Sequence, residues 1–229
     1  MTSLTSVRRS ALQRRIRLIV GTTITYNLVE AVIALAAGAA ASSTALIGFG
    51  LDSTIEVLSA AAVAWQFTRR DPERWEKPTL RVIAVAFFAL AAWVTVSAAL
   101  TLTGVWAEPE HSTLGILVAA VSVVVMPVLS WWERTTGREL GSATAVADSK
   151  QTLICAYLSA AVLIGLMLNG WFGWWWADSL AALVIAAFAV REGIEAWRGD
   201  ACATSVGMLR EEEFGGDDGN RTRTISLED

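Results

Sequence analysis

Six stretches of predominantly apolar residues divide the chain, at 18–41, 44–67, 80–104, 113–132, 144–169 and 172–197, with short polar connections between them. Each is near or above the length of about 20 residues that an α-helix needs to cross a hydrocarbon core. The pattern predicts an all-α fold: a six-helix transmembrane bundle over 18–197, forming one membrane domain. A basic arm (1–17) precedes it and a short tail (198–229) follows. The connection TRRDPERWEKPT, from Thr68 to Thr79, is polar and contains proline, so it reads as a loop. Pro127 falls inside the fourth stretch and is expected to kink it, because it removes a backbone donor and crowds the preceding turn. Residues 208–229 are charged, Gly-bearing and without apolar periodicity, so disorder is expected there.

Composition changes this picture only by closing off alternatives. Of 229 residues, 54% are hydrophobic and 17% charged, and the mean hydropathy of +0.49 is too high for a soluble domain of this length. The chain is therefore expected in the cell (inner or plasma) membrane as a multi-pass protein, with the lipid bilayer as its solvent and no nucleic-acid partner. Lys and Arg are retained on the cytoplasmic side of a membrane. Here they collect in the arm (Arg8, Arg9, Arg14, Arg15, Arg17), in the second connection (Arg69, Arg70, Arg74, Lys77), in the fourth (Arg134, Arg138) and at the end of the sixth stretch (Arg191, Arg198). The other connections carry none, so both termini are expected to be cytoplasmic. Trp106, Trp171 and Trp174–Trp176 would then belt the outer interface, and Trp65, Trp131, Trp132 and Trp197 the inner one. The arm and first stretch resemble a signal peptide in charge, but the apolar run is of full span length and five more follow, so no cleavage is expected. The formal charge of −4 reflects acids of the tail, and two cysteines, Cys155 and Cys202, make no disulfide framework.

Against this background the acids inside the spans carry the chemistry. Asp52 and Glu56 lie one helical turn apart, so both carboxylates project from the same face. A carboxylate at bilayer depth is costly unless it faces a bundle interior, a water-filled cavity or a cation. Glu30, Gln151 and Cys155 fall at comparable depth on the first and fifth spans. On the fifth, Asp148, Gln151, Thr152 and Cys155 share one face, whereas Lys150 points away from it. Asp52 to Glu56 (DSTIE) is faintly echoed by Gln151 to Cys155 (QTLIC). The candidate metal ligands are thus Asp52, Glu56, Asp148, Gln151 and Cys155. Glu30 is a candidate proton site, a ligand or a partner of Lys150. Each has a structural reading too: a buried Cys can be a small hydrophobe, and a buried amide an interhelical hydrogen bonder. His111 reads as solvated, and Asp178 as a helix cap.

The runs SSTALIGFGLDSTIEVLSA, AVADSKQTLICAYLSAAVLIGLMLN and WWADSLAALVIAAFAVREGIEAW resemble the second, fifth and sixth membrane helices of the cation diffusion facilitators. In that family a His or Asp and a second Asp four residues on, from helices two and five, hold a divalent metal that is exchanged for protons. The resemblance places Asp52 and Glu56 at the first pair, and Gln151 and Cys155 at the second, where neutral amide and thiol replace the usual acids. Asp148 matches an acid frequent one turn earlier. The family's cytoplasmic metal-sensing domain is expected to be missing, leaving a homodimer, if formed, to membrane helices.

The resulting expectation is efflux of a divalent cation, Zn²⁺ in first place, by metal/proton antiport with alternating access about a midplane site. Thiolate with carboxylate and amide oxygens suits Zn²⁺ or Cd²⁺ better than Mg²⁺ or Ca²⁺. The metal is cargo, so no resident cofactor is expected, and no Ser/His/Asp grouping at a span end marks an enzyme. The alternative is a non-transporting interaction or scaffold protein that kept the fold, its polar layer only joining helices.

Overall fold

The computed structural model describes residues 6–67, 72–140 and 143–198. These form six helices: α1 (Ser6–Ala40), α2 (Thr44–Phe67), α3 (Pro72–Leu102), α4 (Thr113–Leu140), α5 (Ala143–Phe172) and α6 (Trp176–Arg198), with no strand among the described residues. Helix is what a long apolar segment must adopt in lipid, where each backbone N–H and C=O has to be satisfied within the segment.

Several boundaries differ from those the hydropathy pattern predicts. The described part of the basic arm continues α1 as helix from Ser6. Most of the expected second loop belongs to α3, whose first residue is Pro72, a residue already suited to a helix start. α4 runs through Pro127 as one helix. Among the described residues, five helices are by length and composition apolar enough to cross a membrane: Ser10–Ala40, Thr44–Ala62, Lys77–Leu102, Thr113–Leu140 and Ser149–Phe172. The sixth helix of the expected bundle, α6, is more polar, carrying Asp178, Arg191 and Glu192 along its length. The expected disorder at 208–229 lies outside the described residues.

The helices pack as three lengthwise pairs, α1 with α2, α3 with α6 and α4 with α5, and α2 lies against α3, α5 and α6 as well. Leu46 and Phe49 of α2 are buried with Val94, Val162, Leu166 and Ile185 in the main apolar core. Leu28, Val32, Val82, Val85 and Val124 face outward, as lipid-facing residues should. The α1–α2 pair is close because Gly38 and Gly50 carry no side chain: a Cβ on Gly38 would stand 2.8 Å from Ile47, and one on Gly50 2.9 Å from Leu35. Such small residues let helix backbones approach where lipid supplies no hydrophobic drive.

The start of α2 is held from another helix. Ser43 caps it in the ordinary way, its Oγ accepting from the Leu46 N–H at 3.1 Å. The Ser43 hydroxyl in turn donates to Asp178 Oδ1 at the head of α6, and Asp178 Oδ2 accepts from the Ala45 N–H at 3.2 Å. Asp178 is thus a cap, but of α2 rather than of its own helix. Asp178→Ala should cost about 1–2 kcal/mol, the range for a lost cap and an orphaned buried donor. Unfolding in detergent micelles measures it, and wild-type stability would mean that Ser43 caps α2 unaided.

Candidate functional site

The polar layer begins at Glu30, which is buried on α1. Its carboxylate accepts from Ser53 of α2 at 2.9 Å and from Ser122 of α4. The Tyr26 hydroxyl lies 2.7 Å from the same Ser122 oxygen. Three helices therefore meet on one carboxyl group, and Lys150, which is exposed, is not its partner.

One turn along α2 from Asp52, Glu56 is met from two sides. Asn27 Nδ2 donates to Oε2 at 2.8 Å, and the Cys155 thiol donates to Oε1 at 2.6 Å. Cys155 also lies 3.3 Å from the Gln151 carbonyl oxygen of its own helix. Asn27 is buried, yet its Oδ1 has no hydrogen-bond partner among the described residues. Asp52 is 6% exposed and makes no hydrogen bond among the described residues. The charged groups acting on Asp52 are Glu192 and Glu30, and on Glu56 they are Asp52, Glu30 and Glu192. All are acidic.

Neighbouring positions of α5 reach three different helices. Cys155 meets α2. Thr152 donates to Glu133 of α4 at 3.4 Å. With its amide nitrogen turned to the carboxylate, Gln151 donates to both oxygens of Glu192 on α6, at 3.2 and 3.3 Å. The structure thus brings Glu56 and Cys155 together, sets Asp52 beside them and directs Gln151 to Glu192. The Asp148 side chain lies outside the described residues. No group of three His, Cys, Asp or Glu side chains among the described residues is gathered closely enough to hold a metal by itself. His111 is exposed in the connection between α3 and α4, with Nε2 3.3 Å from the Thr113 hydroxyl.

Three polar residues here escape the sequence reading. Glu192 follows Asp178 by two heptads and Ile185 by one, and both of those are fully buried, so helical phase alone could place it inward. Glu133, 1% exposed, follows Met126 by one heptad on the buried face of α4. Asn27 precedes Glu30 by three residues, hence shares its face.

The family model described as "Cation efflux transmembrane domain" matches residues 22–198. Over 120 residues the chain is 32% identical to the cation-efflux pump FieF of Shewanella oneidensis, a stretch covering 52% of this chain and 38% of that protein. Over 100 residues it is 27% identical to an uncharacterized transporter of Methanocaldococcus jannaschii, covering 44% of this chain and 33% of that one. The chain spans well under half the length of either relative.

The Glu30 contacts give a direct comparison of two buried serines. Ser122→Ala removes a donor to Glu30, whereas the Ser159 hydroxyl bonds only the Cys155 carbonyl within its own helix. Ser122→Ala should destabilise the protein by about 1–3 kcal/mol, the cost of an unsatisfied buried group, and Ser159→Ala by clearly less. Unfolding in detergent tests it; equal effects would mean that Ser122 does not hold Glu30.

Proposed function

The chain belongs to the cation efflux transmembrane family, and from that premise and the acidic layer around Glu56 we propose that it exports a divalent metal cation, Zn²⁺ in first place, in exchange for protons. The observation that carries the reading is the Cys155 thiol lying on the Glu56 carboxylate, with acids as the charged neighbours of that carboxylate and of Asp52 among the described residues. Burying several carboxylates together is unfavourable unless protons or a cation neutralise them. A metal that binds there displaces protons, since the thiolate and not the thiol is the ligand. Asp52, Glu56 and Cys155 are the proposed ligands, with Asp148 on the same α5 face. Gln151 serves through Glu192, and Glu30 is the proposed proton site.

With both termini cytoplasmic, as the Lys and Arg distribution implies, the ion enters from the cytoplasm and leaves outward when reprotonation weakens the site. Rocking of the helices about this layer provides alternating access. A homodimer through membrane helices is compatible with this cycle. One sulfur among oxygens favours Zn²⁺ and Cd²⁺ over harder ions.

The scaffold reading draws on the same contacts, because both Glu56 oxygens are occupied by donors from other helices, as they would be if joining helices were their whole role. Metal-dependent proton release from the purified chain in detergent separates the two: a transporter shows it and a scaffold does not. In proteoliposomes, Asp52→Asn should abolish metal-driven proton flux while the protein still folds, because the lost carboxylate makes no hydrogen bond among the described residues. Retained flux would remove the central claim.

Cys155→Asp trades the one soft ligand for a hard oxygen. Competition binding should show the preference for Cd²⁺ over Mn²⁺ narrowing by ~1–2 kcal/mol, as ligand softness implies. An unchanged ratio would assign Cys155 to packing alone.

A further inference from the structure

Asn27 is 6% exposed, and its two amide groups are treated differently. Nδ2 is held on Glu56 Oε2 at 2.8 Å, while Oδ1, also buried, has no partner among the described residues. Native interiors rarely leave a buried oxygen unpaired, because the water it gave up is not replaced. The same side chain sits on a carboxylate whose charged neighbours among the described residues are Asp52, Glu30 and Glu192, all acids, a setting that repels further oxygens and attracts a cation. Asp52, buried and without a hydrogen bond among the described residues, is one turn away on the same helix.

We propose that Asn27 is a ligand of the transported metal, supplying Oδ1 alongside Asp52, Glu56 and Cys155. The inference rests on the transport reading above and deepens it by adding a residue of α1 to the site. Four donors from α1, α2 and α5 would match the coordination number that Zn²⁺ prefers once the ion draws together side chains that are not gathered closely enough without it. The terminal torsion of an Asn side chain is soft and roughly two-fold, so a half-turn exchanges nitrogen for oxygen at nearly the same point. Without metal the amide donates to Glu56; with metal it presents its oxygen. A neutral oxygen completes the shell without adding a fourth negative charge to two carboxylates and a thiolate, which keeps the ion releasable.

The rival is that Asn27 acts only as a donor that steadies Glu56, and two substitutions separate these roles. Asn27→Asp keeps an oxygen and loses the donor; Asn27→Leu loses both. Zn²⁺ titration calorimetry on the full chain in detergent should show Asn27→Leu weakened about tenfold or more, the scale seen when groups around a metal are removed. Asn27→Asp should bind as tightly as wild type or tighter, and its thermal stabilisation by Zn²⁺ should be at least as large. Weakened binding by Asn27→Asp would overturn the proposal, as would wild-type binding by Asn27→Leu. If Asn27→Leu does not fold, Asn27→Asp alone decides. Asp52→Asn runs in parallel: wild-type Zn²⁺ binding there would sink the transport reading itself, whereas loss there together with loss in Asn27→Asp would sink only the role of Asn27.

Discussion

A carboxyl group inside a bundle that faces lipid has no water to fall back on, and in this chain that requirement organises the packing. Glu30 is met by α2 and α4, Glu56 by α1 and α5, Asp178 by the head of α2, and Glu133 by α5. Each acid is answered from a helix other than its own. Apolar side chains cannot specify such a register, since in lipid they are nearly as content facing outward. The hydrogen bonds fix which residues lie level with which, and the apolar core around Phe49 and Ile185 then fills the space they define. Asp52 is the exception, and an acid without a donor among acids is the arrangement that a cation completes.

The close α1–α2 approach belongs to the same account. Gly38 and Gly50 let the two backbones come together, and that proximity brings the short Asn27 side chain within reach of Glu56. α5 contributes differently, through a run of polar positions that fan out to α2, α4 and α6. A displacement of α5 is therefore felt at Glu56, Glu133 and Glu192 together, which gives the acidic layer a mechanical link to the rest of the bundle.

The spans were legible because long apolar runs bounded by charge leave few readings, and the outward direction of Lys150 followed from helical phase. Pro72–Thr79 misled, since polar residues at a membrane surface extend a helix as readily as they form a loop. α6 was read as a span from its apolar middle, but the inward place of its acids was not legible there. The function of Asp178 was visible but its recipient was not, because a cap supplied across a chain separation of more than a hundred residues leaves no local pattern. Glu30 and Lys150 are a pair by charge alone, and the structure prefers two serines for Glu30. Glu192 and Glu133 escaped because acids near the ends of spans resemble interface residues, and Asn27 because a neutral amide carries no obvious cost at depth. Cys155 was the reverse case: an ordinary buried residue by type, raised to interest only by its place beside Gln151 on the polar face.

The contact between Asp178 and Ser43 joins α2 and α6 at their first turns only. Two rods pinned at one end behave as a lever, and motion at the free end grows with distance from the pin. Glu56 stands about 20 Å along α2 from Ser43 at 1.5 Å per residue. A relative tilt of about 5° over that length therefore moves its carboxylate by about 1.7 Å, enough to break its hydrogen bonds to Asn27 and Cys155 while the pin itself stays intact. The spacing of groups in the acidic layer can thus be set by small rotations that leave the hydrophobic packing near the pivot undisturbed.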